Sequence, residues 1–252
     1  MADNSQIEWT DATWNPVSGC TKISLGCDHC YAERFSERFR GVKGHPFENG
    51  FDLTLKPSRL DQPRQWKKPR MIFVNSMSDL FHKKIPNDYI DRVFEVMEDA
   101  DQHIYQVLTK RSSLLRNYVN NRYRSSEAPP HIWFGVSIEA PSVLVRLKHL
   151  DQTSAPVKFV SFEPLLERIG QVDLTSIEWA IVGGESGPGA RPMKPEWVRE
   201  LRDQCVAQDV AFFFKQWGGR TPKAQGNKID GRQWLEFPEL APELPQFSPS
   251  PS

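Results

Sequence analysis

Met71-Ile-Phe-Val-Asn-Ser-Met-Ser-Asp79 is a short apolar run that ends in small polar residues and a carboxylate. The same grammar returns along the chain. Ile104–Leu108 runs into Thr109-Lys110, Ile132–Val136 into Ser137-Ile-Glu139, and Val157–Val160 into Ser161-Phe-Glu163. Trp179–Val182 then runs into Gly183-Gly-Glu-Ser-Gly187, and Val210–Phe214 into Lys215-Gln-Trp217. Near-continuous apolar strands are buried on both faces. Between the runs lie apolar residues at helical spacing: Ile90, Val93, Phe94 and Met97; Leu114, Leu115 and Tyr118; Val143, Leu147 and Leu150; Trp197, Leu201 and Cys205. Strands alternating with helices predict βαβ units on a parallel sheet. The expected fold is α/β, a partial or truncated TIM-like (β/α) barrel of parallel strands. Ligands of such folds bind at the carboxyl ends of the strands, which is where every polar set falls. Each set alone has an ordinary use as a cap or turn, since Ser76, Ser161 and Ser186 are good capping types. Six in register are harder to assign to capping alone.

Upstream, Gly19-Cys-Thr-Lys-Ile-Ser-Leu-Gly-Cys-Asp-His-Cys-Tyr-Ala32 holds three of the four cysteines, Cys20, Cys27 and Cys30, spaced C-x6-C-x2-C. Thiolates two residues apart can turn onto one metal centre, and the glycine before each arm lets the backbone curl. A disulfide would leave one of the three unpaired, so metal binding is the expected use. The cysteines alone leave zinc and iron–sulfur both open. Zinc wants a fourth ligand, for which Cys205 and His45 are distant candidates, and His29 is poorly placed beside Cys30. Cys205 lies on an apolar helical stripe and reads as a core cysteine.

The 252 residues suffice for one α/β barrel. Lys and Arg number 32 against 32 Asp and Glu, so no global basic field draws the chain to nucleic acid. A local run such as Arg64-Gln-Trp-Lys-Lys-Pro-Arg70 reads as a solvated face. Neither a signal-like run nor a span of roughly 18 apolar residues is present, which makes the cytoplasm the default expectation and a membrane partner unexpected. In that compartment clustered cysteines read as metal or catalytic sites. Residues 1–237 are expected to form one domain, with 238–252 a disordered Pro/Ser-rich tail. Ile7–Pro16 is expected to carry a first short strand. Tyr31, Phe35 and Phe39 mark a helix face ended by Gly41, and Val42–Pro69 reads as connection with one short helix.

The cysteine loop, followed at once by Tyr31, resembles that of the radical S-adenosylmethionine superfamily, whose members commonly carry C-x3-C-x2-C after the first barrel strand. The first spacing here is six, as in some branches of that superfamily. Phe73-Val-Asn-Ser-Met-Ser-Asp79, Leu108-Thr-Lys110 and Gly135-Val-Ser-Ile-Glu139 look like the corresponding strands of the branch similar to spore photoproduct lyase. From Ile7 to about Phe237 the chain also resembles a phage- and bacterium-associated family of radical-SAM-like proteins with a three-cysteine motif. Glu8-Trp-Thr-Asp-Ala-Thr-Trp-Asn-Pro16, Gly183-Gly-Glu-Ser-Gly187 and Phe214-Lys-Gln-Trp-Gly218 carry that likeness.

The resemblance implies a radical-SAM-type barrel and a [4Fe–4S] cluster on Cys20, Cys27 and Cys30. It implies cleavage of S-adenosylmethionine to a 5′-deoxyadenosyl radical that abstracts hydrogen from a substrate, a nucleic acid or nucleobase by analogy with that branch. Asn75, Ser76, Ser78 and Asp79 are the implied contacts for the cofactor's ammonium end. Ser137 and Glu139 would serve its ribose hydroxyls or carboxylate, Lys110 belongs to the same cofactor-binding set, and Glu185, Arg191 and Lys215 are candidates for substrate contact or for the adenosyl end. A reductant such as flavodoxin or ferredoxin would supply the electron. The competing expectation is a zinc-stabilised, non-catalytic nucleic-acid-binding or phage accessory protein, in which the eight tryptophans and local basic runs provide stacking and phosphate contacts.

Overall fold

Six apolar runs and one short strand before them build a single seven-stranded parallel sheet. The computed structural model describes residues 5–221 and 224–239. In chain order the strands are β1 (Ala12–Trp14), β2 (Val17–Ser18), β3 (Thr54–Leu55), β4 (Met71–Val74), β5 (Ile104–Thr109) and β6 (Ile132–Ser137). They continue with β7 (Lys158–Phe162), β8 (Trp179–Gly183), β9 (Ala211–Gln216), β10 (Lys228–Ile229) and β11 (Arg232–Gln233). The helices are α1 (Tyr31–Glu37), α2 (Gln62–Gln65), α3 (Asn87–Asp99), α4 (Ser112–Arg122), α5 (Val145–Asp151) and α6 (Pro195–Ala207). The sheet order is β1-β4-β5-β6-β7-β8-β9, every neighbouring pair parallel. Parallel strands in sequential order, with helices in every crossover but that from β7 to β8, curl into part of a TIM-like barrel. β1 and β9 are not paired with each other, so the barrel is open. The chain's return covers the β9 edge: Phe214 N donates to Trp234 O at 2.8 Å and Glu236 N to Phe212 O at 3.2 Å. A strand edge covered in this way is closed to pairing with another chain.

Side chains alternate across each strand with period two. Ile72, Val74, Val160, Ala180, Phe212 and Phe214 pack outward into the layer shared with the helices, where Ile90, Val93, Phe94 and Met97 of α3 and Val198, Leu201 and Cys205 of α6 join the same core. Their neighbours Phe73, Trp133, Phe159, Trp179 and Phe213 point the other way and fill the concave face together with Trp9. Trp179 is the hub of this plug, its ring centroid 5.8 Å from Phe159, 6.0 Å from Trp133 and Phe213, and 5.1 Å from Phe237. A Cβ at Gly135 would meet the Phe159 ring at 2.5 Å, so glycine on β6 lets that ring lie across the strand. Each fully buried large side chain contributes about 1.5–3 kcal/mol, so the plug anchors the half-barrel from within.

The structure departs from the sequence reading in four places. The β7–β8 connection, residues 163–178, holds no helix; Leu165, Ile169, Leu174 and Ile177 bury themselves from an irregular path. Helix α1 ends at Glu37, short of Gly41, and its aromatics join a side cluster in which Phe35 packs on Phe39 at 5.3 Å and Phe39 stacks on His45 at 3.9 Å. The 42–69 connection contains β3 as well as α2, and β3 pairs antiparallel with β2. On α4, Leu114 is exposed, while Leu115 and Val119 take the core face. Of the tail expected from 238, residues 240–252 lie outside the described residues.

Candidate functional site

The cysteine loop starts directly after β2 and is bent over the carboxyl ends of the strands. Gly19 makes the bend possible. Its φ is +83°, and a Cβ there would stand 2.2 Å from Asp52 O, because the segment before β3 closes over it. Gly19 N donates to Met77 O at 3.0 Å and Cys20 N to Phe51 O at 3.3 Å, so the loop is stitched at once to the end of β4 and to the 42–69 connection.

From there the loop is held by successive strand ends. After β5, the guanidinium of Arg111 donates to Cys20 Sγ at 3.4 Å and to Thr21 O at 2.9 Å. After β6, Glu139 Oε1 lies 3.4 Å from Gly26 N, and a Cβ on Gly26 would touch the Glu139 carboxyl at 3.1 Å and the Lys110 stem at 3.3 Å. After β8, Glu185 Oε2 lies 2.9 Å from His29 Nδ1. Arg191 ties the same carboxylate to the loop, reaching Glu185 Oε1 at 2.6 Å and Leu25 O at 2.9 Å. Arg34 on α1 returns the contact, donating to Ser186 O at 2.8 Å. The Tyr31 hydroxyl donates to Ser76 O beyond β4.

The three loop thiols are free and half-buried. Burial pushes the Cys20 thiol up, as does Asp79, against the opposing Arg111 cation. Burial also raises Cys30, opposed by the amides of Glu33 and Ala32 at the start of α1 and by Lys110. Among the described residues, no group of three or more His, Cys, Asp or Glu side chains is gathered to hold a metal ion. The donor set is three sulfurs, with amide and guanidinium donors at hand for Cys30 and Cys20. That chemistry fits an iron–sulfur centre.

The acids expected to meet a cofactor already have partners. Asp79 accepts four hydrogen bonds: from Phe81 N at 3.0 Å, Thr109 Oγ1 at 2.7 Å, Lys110 N at 3.2 Å and Arg111 Nη1 at 2.8 Å. A carboxylate has about four lone-pair sites, so none is left for an ammonium group. Glu139 is held at 2.8 Å by Arg146, which also donates to Ser137 O at 2.8 Å. Burial would raise the Glu139 carboxyl, but the Ser24 hydroxyl and the cations Lys110 and Arg146 outweigh it and lower it. Burial likewise opposes ionisation of Glu185, yet the hydrogen bonds from Arg191 and His29 hold it at about 2.

The small residues after β4 serve the turn. Asn75 adopts φ +60° and its Oδ1 accepts from Val17 N at 3.3 Å. Ser76 Oγ accepts from Asn15 Nδ2 at 3.2 Å, and Ser78 Oγ donates to Val17 O at 3.1 Å. Two donors of the expected set are left over: the buried Nδ2 of Asn75 has no partner, and Lys110 has no carboxylate at ion-pair distance among the described residues. Lys215 instead pairs with Glu163 at 3.1 Å. Cys205 is fully buried in α6, its thiol pushed up to about 12 mainly by burial.

Arg111, Arg146 and Arg34 escape a reading of strand-end patterns. The first follows Thr109-Lys110 directly, a signal within reach; the other two sit inside helices and become site residues only when the chain folds.

Two solved structures of spore photoproduct lyase are similar to the chain. One is a double mutant with bound AdoMet and dinucleoside spore photoproduct, 9% identical, TM-score 0.43, the match covering 76% of this chain and 60% of that one. The other is complexed with dinucleoside spore photoproduct, 11% identical, TM-score 0.40, covering 75% and 58%. The chain thus spans about three fifths of the length of each. No curated protein matches it in sequence. The family described as Protein of unknown function (DUF5131) matches residues 4–238, and the chain belongs to that family.

Proposed function

We propose that the chain is a radical S-adenosylmethionine enzyme whose cysteine loop carries a [4Fe–4S] cluster over the mouth of the half-barrel. One observation carries this reading: the loop bearing three free thiols lies on the carboxyl-end rim and is gripped there from the ends of β4, β5, β6 and β8. A loop fastened at four strand ends keeps its thiols at the position where α/β barrels do their chemistry.

Cys20, Cys27 and Cys30 would hold three irons and leave the fourth open. When bound, the cluster and S-adenosylmethionine supply reductive cleavage to methionine and a 5′-deoxyadenosyl radical, with the electron drawn from a flavodoxin- or ferredoxin-type donor. The chain's own residues position and shield that chemistry. Asp79 and Glu185 hold Arg111 and Arg191, and through them the loop, while Glu139, itself held by Arg146, meets the loop directly at Gly26 N. Contact with the carboxylate of the cofactor falls to the buried donor without a partner, Asn75 Nδ2, while the hydroxyls of Ser76, Ser78 and Ser137 line the approach. The hydrogen donor is proposed to be a nucleic acid or nucleobase. The test is to incubate anaerobically reconstituted, reduced protein with S-adenosylmethionine and follow 5′-deoxyadenosine. The reading expects slow release even without substrate and none from Cys30→Ala; its absence from well-reconstituted protein refutes the catalytic claim.

A further inference from the structure

Beside the cysteine loop, a groove of about 400 Å³ opens between the ends of β5 and β6. That volume lies within the range of small-molecule sites. Its basic lining consists of Lys83, Lys110, Arg111, Arg146 and His149, and none of the described residues lining it is Asp or Glu. The chain as a whole is neutral, so this concentration of positive charge is local.

The two arginines are already neutralised from behind, Arg111 by Asp79 and Arg146 by Glu139, both at 2.8 Å. Neither Lys83 nor Lys110 has a carboxylate at ion-pair distance among the described residues, although Glu139 acts on Lys110 from further off, so both ammonium groups are available to one space. The hydroxyls of Ser113 and Ser142 lie in the same lining. The same lining includes the apolar side chains of Ile23, Leu114 and Val145, exposed by 46%, 41% and 52%. Ile23 belongs to the cysteine loop, and Lys110 packs against its Gly26, so one side of the groove is the loop itself.

We propose that this groove binds a phosphate monoester whose organic part is flat or apolar. A monoester carries about −1.5 to −2 charges near neutral pH, which suits two ammonium groups on one groove; a phosphodiester carries only one per phosphate. The apolar side chains accept the body of the ligand and so select a nucleotide-like ester over a sugar phosphate. Ile23 brings the cysteine loop into the lining, so a ligand anchored there touches the loop. The proposal does not depend on a cluster being present.

The experiment is isothermal titration of the full chain, purified without added iron. Its probes are a nucleoside 5′-monophosphate, the parent nucleoside, ribose 5-phosphate, inorganic phosphate and a short single-stranded oligonucleotide. The monophosphate binds tightest, and Lys83→Glu weakens it by about tenfold or more, the effect of losing one charge-assisted phosphate contact. Lys84→Glu makes the same charge change on the neighbouring exposed residue outside the groove and leaves binding within about twofold. Val145→Asn weakens the monophosphate and spares inorganic phosphate. The proposal is overturned if no probe binds, if nucleoside and monophosphate bind equally, if the two lysine variants behave alike, or if the oligonucleotide binds tighter than the monophosphate. Unchanged circular dichroism of all three variants ties any loss to the groove.

Discussion

Arg111 Nη1 lies 2.8 Å from Asp79 Oδ2 and 3.4 Å from Cys20 Sγ, so one guanidinium joins the end of β4 to the first cysteine of the loop. Both charged side chains are less than one-tenth exposed. Removing one member of a buried pair strands the other, at a cost of about 3–5 kcal/mol. Asp79→Ala is therefore expected to lower the urea midpoint markedly. Asp79→Ala combined with Arg111→Met should recover part of the loss, because no unpaired charge remains, while the donors of Phe81, Thr109 and Lys110 stay unmatched. Urea unfolding of the two single variants and the double variant measures this directly.

Glu185 makes stability depend on acid. Its carboxyl is held at about 2 in the folded chain against an ordinary 4.5, so its contribution is complete above about pH 4.5 and disappears as pH falls toward 2. A shift of that size corresponds to about 3 kcal/mol. Glu185→Gln should lower stability at pH 7 and flatten the stability profile between pH 4.5 and 2. An unchanged acid limb contradicts the assignment.

Gly19 has no substitute of L configuration without movement of the loop. Its positive φ costs an alanine about 1–2 kcal/mol, and the clash with Asp52 O adds to it. Gly19→Ala is expected to lose about 2 kcal/mol or more. The loop cysteines should at the same time react faster with a thiol reagent, and Tm together with labelling rate reports both effects.

Cys205 provides the internal control for such labelling. It is fully buried with its thiol pushed up to about 12, whereas Cys20, Cys27 and Cys30 are half-buried. Thiolate supply and access govern reactivity. Native, metal-free protein should therefore titrate three thiols, with the fourth appearing only in denaturant.

The sheet is legible in the sequence because each strand must be apolar on both faces, so that Met71–Val74 and Trp179–Val182 announce themselves without help from their neighbours. The polar caps at the strand ends are legible for the same reason: each begins where burial stops. The segment from 163 to 178 is not legible, because Leu165, Ile169, Leu174 and Ile177 bury themselves without helical or strand periodicity. Pairings across the rim are also hidden. Glu185 and His29 stand 156 residues apart, and only closure of the barrel brings them to 2.9 Å. Asp79 illustrates the limit best. Its type and place suit an ammonium ligand, but its four acceptor positions are taken by Phe81, Thr109, Lys110 and Arg111, three of which belong to the next strand end.

The central claim is that Cys20, Cys27 and Cys30 together hold an iron–sulfur cluster. Iron and sulfide are to be counted after anaerobic reconstitution and desalting, in the intact chain and in a variant with all three cysteines changed to alanine. About four irons and four sulfides per intact chain, and almost none in the variant, is the predicted result. Stoichiometric zinc with no retained iron, or iron retention that survives loss of the three cysteines, contradicts it.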